Sequence, residues 1–501
     1  MKNFKILLTQ ELQSQMKSFT FVVMIPVALV TSLLVSNLQV TSYKDRMQVY
    51  EEQQKQSNEQ LNNIYYYSQF NVDVYMPPSI LSVFAEGVDK NIGDKITVSV
   101  IDMPELSAIS QRSNAFINIF NRIDISGIVK IMSIFMVLMA ACPIAIEKER
   151  QTGKLTFANS VGKLEYFLSK YFALIIIACI MIGVIFITPV AWMMLDTQID
   201  LSLSAVGSIL LMVLFSILYL SVFVLISLAV SSVSPKVSVA TISSLMVWAV
   251  LVFIYPFTLN STIDRLVKMP SESAINEEIT LIDAEMKKEI DQFENKIQQP
   301  WSISVYSFSS SRDGITDLLV GTTKDCYEFY KSINEFSIPK HWDRNERVYA
   351  LKEKQKQRQL YKKSLYERFA FFIPDNIYQN VCEQIARTDY DFRGIQFMDA
   401  AKTYRNILID YVKSKNGFGY SFFTQMPESE MRNTRGEYSQ AVWDRYCNDQ
   451  NLDKIFTAEV PLFTFFHKTK TSATWFFLLV LLNVILGGTS ILIYSKFSSF
   501  K

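Results

Sequence analysis

Residues 201–263 read LSLSAVGSILLMVLFSILYLSVFVLISLAVSSVSPKVSVATISSLMVWAVLVFIYPFTLNSTI and carry one charge, Lys236, between Asp200 and Asp264. A hydrocarbon layer about 30 Å thick is crossed by roughly 20 helical residues. The stretch is too long for one crossing and fits two, at 203–230 and 237–259. The turn Ser234-Pro235-Lys236 separates them, because proline ends a helix. Reading outward, residues 172–195 hold no charge, and residues 125–146 hold only Lys130. Residues 19–38 form another apolar run, preceded by Lys2, Lys5 and Lys17. It reads as an uncleaved anchor, since no small-x-small cleavage site follows and the polar lead is long. The last run, 475–494, has Trp475 and Tyr494 at its ends, as interfacial aromatics do. Lys130, near one end of its run, is expected to snorkel to the interface.

Composition agrees with a membrane chain bearing a large polar part. The 501 residues are 50% hydrophobic and only 19% charged, against about 25% in soluble domains. Lys+Arg 49 against Asp+Glu 48 leaves +1, which excludes a nucleic-acid binder acting through a global basic field. Two histidines, His341 and His467, argue against a His-based metal enzyme. Five cysteines set no disulfide framework. No Walker A, HExxH, CxxC, GxSxG or GxGxxG sequence stands in a fitting context, so no catalytic residue, cofactor site or metal site is expected in this chain.

Basic residues set the expected orientation. The N-terminal lysines, Lys148, Arg150, Lys154, Lys163 and Lys170 after the second run, Lys236 in the turn, and Lys496 and Lys501 all fall on one side if all six runs cross. The expected fold is thus an integral membrane, mainly α protein with six transmembrane helices, both termini cytoplasmic and two inserted extracytoplasmic segments. The divisions are 1–40 (tail and first span), 41–124 (first insertion), 125–259 (spans two to five with a cytoplasmic loop at 147–171), 260–473 (second insertion) and 474–501 (last span and tail). The insertions are expected to form a mostly helical α+β outer domain.

Within them, residues 43–67 should prolong the first span as a helix, and 96–101 should form a strand. Residues 114–125 should form a helix leading into the second span. In 273–298, Ile275, Ile279, Ile282, Met286, Ile290, Phe293 and Ile297 recur at gaps of three and four and make one stripe. Packing on its own domain is the expected use; a coiled-coil dimer contact is the alternative. A basic helix at 343–371 carries Lys352, Lys354, Lys356, Arg358, Lys362 and Lys363. It reads as a solvated face, with lipid headgroups or an anionic substrate as alternatives. A further helix is expected at 397–413, after a turn at 388–394.

The charged loop EKERQTGKLTFANSVGKLEYFLSKY, residues 147–171, stands out. A short helix on the membrane surface would suit it, with Leu155, Phe157, Val161, Leu164 and Phe167 or Leu168 on its apolar side and a sharp turn at Gly153.

Glu149-Arg150-Gln151-Thr152-Gly153, followed by Ser160-Val161-Gly162-Lys163 and Lys170, resembles the ABC-2-type transporter permease family. Its E-R-x-x-G-T element and the short helices after it couple the membrane subunit to an ATPase. Residues 78–84 with Glu86-Gly87, Asp124–Ser126, residues 386–389 and Tyr404-Arg405-Asn406 are similar to a branch with two large outer insertions. Lys154 stands where that family usually has Thr, and its Pro before the Val-Ser-Arg-like element is absent.

The resemblance implies a permease subunit in the bacterial cytoplasmic membrane, dimerising as homodimer or heterodimer among membrane lipid, and not itself an enzyme. ATP-Mg would be bound by a separate ABC-type ATPase, and export is the expected direction. Glu147, Glu149, Arg150, Gly153, Lys163 and Lys170 would then be the ATPase-coupling residues, while substrate residues stay unknown. The alternative is a mechanotransmission or assembly protein that links a cytoplasmic ATPase to extracytoplasmic partners without transporting anything.

Overall fold

The computed structural model describes residues 2–61, 71–89, 93–106, 123–152, 157, 161–196, 199, 201–297, 307–308, 318–322, 324–370, 373–414, 424–425, 463 and 473–497. Six helices among them are long and apolar enough to cross a membrane. A short helix α1 (Lys2–Met16) leads into α2 (Phe19–Leu61). Ser18 separates them, its Oγ accepting the Phe21 N–H at 3.2 Å as an N-cap does. Next come α3 (Ile125–Glu149), capped by Asp124, then α4 (Lys163–Leu195) and α5 (Leu203–Val233), capped by Ser202. After the Pro235 break, α6 (Val237–Ala249) passes through a π-helical turn, Val250–Ile254, into α7 (Tyr255–Leu266).

Two outer helices form an antiparallel pair, α8 (Glu272–Glu294) and α9 (Lys324–Phe369). They are followed by α10 (Pro374–Ala386) and α11 (Phe397–Ser414), and α12 (Ala473–Phe497) is the last span. A small sheet, β1 (Asn71–Tyr75), β2 (Lys95–Ser99) and β3 (Glu105–Leu106), is antiparallel throughout, with Val72 opposite Val98 and Thr97 opposite Glu105. The uncharged bundle core contains Met136, Leu174, Ile177, Met181, Phe223 and Leu228, all essentially unexposed. A second core joins Val72, Val74, Ile96 and Val98 of the sheet to Phe397, Ala401, Tyr404 and Leu408 of α11.

Several expected elements recur with changed limits. Helix α2 carries the first span onward to Leu61, a length of roughly 65 Å. The strand at 96–101 is β2, and the 397–413 helix is α11. The basic helix starts at Lys324 rather than at 343, so it includes His341. The 388–394 turn gives way to a π-helical segment, Asp391–Gln396. The helix expected from 114 falls largely outside the described residues; α3 itself begins at Ile125.

The α8 stripe is used within the chain. Phe293 stacks on Phe336 with ring centroids 3.9 Å apart, and Ile282 is buried. Arg344 meets Asp283 at 2.6 Å and Arg347 meets Glu285 at 2.7 Å along the same seam.

Helix α10 has no counterpart in the sequence reading, and it seats the second outer segment on the bundle. Tyr378 stacks on Tyr219 of α5 at 4.6 Å, and its hydroxyl lies 2.8 Å from Ser216 Oγ. Lys130 of α3 finds protein partners at that end of its span. It hydrogen-bonds Gln379 at 2.5 Å and lies 3.4 Å from Asp375, because α10 brings a carboxylate to it.

The short patches at 78–87, 124–126 and 386–389, with Asp89 and Arg393 just beyond two of them, meet beside that seat. Gly87 turns with φ +54° directly against Thr388, and Val88 N–H donates to the Thr388 carbonyl at 2.9 Å. Thr388 Oγ1 donates to Ala85 O at 2.8 Å, and Ser79 Oγ to Ala386 O at 2.6 Å. Asp124 accepts the Glu86 N–H at 2.9 Å while capping α3 through Gly127 N–H at 2.6 Å. Asp89 holds Arg393 at 2.7 Å, both nearly unexposed, and also pairs with Arg46 of α2. One junction thus ties α2, the first outer segment, α3 and the second outer segment together.

Candidate functional site

At the opposite end of the bundle, the end that bears both termini, lies a buried charge cluster. Lys170 of α4 is 2% exposed. Its Nζ donates to Glu147 Oε1 of α3 at 2.6 Å and to Glu11 Oε2 of α1 at 2.8 Å. Tyr166, one turn earlier on α4, donates its hydroxyl to Glu147 Oε2 at 2.6 Å. The Tyr166 ring stacks on Tyr494 of α12 at 5.7 Å. Gln15 Nε2 donates to Glu11 Oε1 at 2.8 Å. One ammonium between two carboxylates leaves a formal excess of one negative charge, which the Tyr166 and Gln15 donors help to satisfy.

Burial opposes the charge on Glu11, but the Lys170 ammonium and the hydrogen bonds from Gln15 and Lys170 outweigh it and hold the carboxyl below its ordinary range. A depressed folded value stabilises the fold above the ordinary carboxylate range, and that stability is lost as pH falls through the depressed value. In a melting series from neutral to acidic pH, Glu11→Gln is therefore expected to lower the melting temperature at neutral pH. The gap from the native chain should narrow on acidification; a gap of constant size would count against the ion pair.

Glu149 closes a different contact. Its Oε2 accepts the backbone N–H of Val237 at 2.9 Å. A carboxylate at a helix N-terminus meets both an unsatisfied donor and the positive end of the helix dipole, so Glu149 caps α6. Lys148 beside it donates to the Ser232 carbonyl near the end of α5. Lys163 donates to the Ser495 carbonyl of α12 at 3.3 Å. Arg150 is exposed and ends α3, its N–H reaching Ile146 O at 2.9 Å.

Of the six sequence-derived positions, Glu147 and Lys170 touch each other, while Glu149 and Lys163 bind other spans. Arg150 faces solvent, and Gly153 lies outside the described residues. The left-handed residue of this turn among the described ones is Gln151, φ +54°. The surface helix lies mostly outside the described residues too, but its proposed last turn belongs to α4, which begins at Lys163 and buries Phe167.

Glu11 and Tyr166 were missed from sequence, and Tyr494, read there as an interfacial aromatic, is 1% exposed and packed on Tyr166. Glu11 did carry a signal, as the one acid among the lysines of the N-terminal segment.

A family model described as "ABC-2 family transporter protein" matches residues 7–426, most of the chain. The chain belongs to the ABC-2 transporter family. The matched region takes in Glu11, the 147–171 segment, the far-end junction and α10, and leaves out Tyr494 and Ser495 of α12. No curated protein and no solved structure matches the chain. This ABC-2 protein is accordingly a multi-pass membrane protein of transport, a permease component without a catalytic role of its own.

Proposed function

We propose that this ABC-2 chain is the permease subunit of an exporter driven by a separate ABC-type ATPase. In this reading it lies in the bacterial cytoplasmic membrane with both termini cytoplasmic, and it pairs as a homodimer or heterodimer. ATP-Mg is bound by the partner. The ATPase docks below the segment after α3, and its closure pushes on Glu147, Glu149, Arg150 and the turn that includes Gly153, with Lys163 and Lys170 passing the motion on.

One observation carries this reading: the contacts around residues 147–170 reach α1 and five of the six spanning helices. Glu11 brings in α1 and so α2, Glu147 belongs to α3, and Lys170 to α4. Lys148 and Glu149 hold the α5–α6 turn, and Lys163 holds α12. A force applied at one surface segment would therefore move the whole bundle. The ATPase must also bind one permease state better than the other, or its cycle shifts nothing.

Glu149→Lys places a cation at the α6 N-terminus and is expected to abolish permease stimulation of the ATPase while membrane insertion persists. The check is the hydrolysis rate of the reconstituted pair; normal stimulation in that variant would count against the assignment. The long outer helices also suit a mechanotransmission protein, and cargo movement in sealed vesicles containing the reconstituted pair separates the two.

A further inference from the structure

Two π-helical turns mark places where the chain passes between the bundle and the outer segments. Asp391–Gln396 joins α10 to α11, and Val250–Ile254 joins α6 to α7. They are held differently. Arg393 of the first is 5% exposed, pairs with Asp89 at 2.7 Å and donates to the Pro77 carbonyl at 3.0 Å. Asp89 also pairs with Arg46, so α2 is tied to the same point. In the second turn no residue is buried. Val250, Phe253 and Ile254 are 44%, 60% and 54% exposed, while Leu251 and Val252 pack partly on the bundle core.

The sequence explains the second turn. Pro256 has no N–H, and in an α-helix its ring would collide with the carbonyl of Val252, four residues back. Widening the helix relieves that collision. The Tyr255 N–H accordingly donates to the Val250 carbonyl, five residues back, and position 256 donates nothing. A helix that lacks a bond and has little packed around it bends most readily there.

The turn lies between two anchors. On the bundle side, Trp248 Nε1 donates to Ser133 Oγ of α3 at 2.9 Å, and Ala240 and Ser244 are buried. On the outer side, Tyr255 Oη donates to the Phe369 carbonyl at 3.1 Å and Asp264 pairs with Lys362, which joins α7 to α9. Helix α9 holds α8 along their seam and also grips the end of β2. Trp342 Nε1 donates to Val100 O at 3.1 Å and Asn345 Nδ2 to Ile101 O at 2.5 Å. Arg405 of α11 donates to Ile101 O at 3.1 Å and Asp102 O at 2.9 Å. The sheet and helices α7, α8, α9 and α11 are thus cross-linked into one outer body.

We propose that this outer body rocks on the bundle about the pinned junction, and that the Val250–Ile254 turn is the joint that bends. The joint is a property of this chain alone. That an ATPase drives the bending rests on the coupling reading above. The test below uses no ATPase, so the two can fail separately.

The test compares two distance distributions between nitroxide labels, read by pulsed electron spin resonance. The full chain, its native cysteines replaced and diluted in excess unlabelled chain, is placed in phosphatidylcholine nanodiscs. One pair spans the joint, Leu203→Cys at the outer end of α5 and Leu281→Cys on α8. The other stays within the outer body, Leu281→Cys and Ile407→Cys on α11. All three sites are exposed. Leu281 lies beside Asp283, which pairs with Arg344, so it stands roughly 35 Å from Phe369 along α9. A bend of about 10° at the joint moves it by about 6 Å. The joint-spanning distribution is expected to be wider than the other by about that amount. Pro256→Ala restores a donor and removes the ring, and should narrow it to the width of the pair within the outer body. That second pair also reports whether the Pro256→Ala chain is folded. Equal widths in the parent chain overturn the proposal, because the outer body is then fixed on the bundle. A Leu281–Ile407 distribution as broad as the first overturns it too, since the outer elements then flex among themselves. So does a first width unchanged by Pro256→Ala while the second stays narrow, because the bend then lies elsewhere.

Discussion

Lys170→Met is expected to destabilise the protein by about 3–5 kcal/mol, the range for removing one partner of a buried ion pair. The substitution keeps the volume of the side chain but removes the cation that Glu11 and Glu147 share. Both carboxylates would then face each other at the buried end of α4, and one must take up a proton or swing out. Swinging out weakens the hold on α1, which otherwise packs along α4 through Leu12 and the edge contact of Phe4 with Phe172 at 6.3 Å. Melting in mild detergent should show a clear drop, and hydrogen exchange should rise most in α1. A second change distinguishes this mechanism from lost packing. Adding Glu11→Gln to Lys170→Met removes the repulsion and should recover part of the stability. If the double variant is no better than the single one, the cost comes from packing around Tyr166 and Tyr494 instead.

The six spans were legible because each is an apolar run of sufficient length, and burial in lipid needs little else. The α8 stripe was legible for a similar reason, since a helix with one apolar face must cover it, and α9 does so through Phe336, Arg344 and Arg347. What escaped was every feature made by pairing across the chain. Lys130 reads as a snorkelling cation until Asp375, 245 positions away, is placed beside it. Lys170 reads as the charged end of a loop, so the third span was started at 172. Two carboxylates from other helices let that lysine lie buried inside α4 instead. Helix α10 escaped because its partners, Ser216 and Tyr219, sit within a span whose sequence shows only an uncharged apolar run. The resemblance did mark residues 78–84, 86–87, 124–126 and 386–389 separately; their meeting at one junction, with Asp89 and Arg393 added, is a tertiary fact. The coupling residues were likewise found as a segment, without Glu11, which closes their cluster from the other end of the N-terminal half.

Gly87→Ala should break that junction. A methyl group built on Gly87 would stand 2.5 Å from the Thr388 carbonyl oxygen and 2.8 Å from its Oγ1. The nearest obstacle is backbone, so no side-chain rotation relieves it. The residue also has φ +54°, where alanine is strained irrespective of space. Overpacking and a left-handed alanine together cost roughly 2–5 kcal/mol. The loss falls where Thr388 binds Ala85 and Val88, so residues 386–388 should part from the first outer segment and loosen α10. Cys382 of α10 reports on this locally. It is 1% exposed, and burial pushes its thiol up to about 12, so in the native chain it should alkylate very slowly at mildly alkaline pH. In a chain whose other four cysteines are replaced, Gly87→Ala is expected to speed maleimide labelling of Cys382 by at least about tenfold. Gly207→Ala is the control, since a methyl there meets nothing within 4 Å and should leave labelling unchanged. Unchanged labelling in Gly87→Ala itself would mean that α10 is held by its contacts with Tyr219, Ser216 and Lys130 alone. The outer segments would then move independently of their seat on the bundle, and the junction could not carry motion from the spans to the outer part of the molecule.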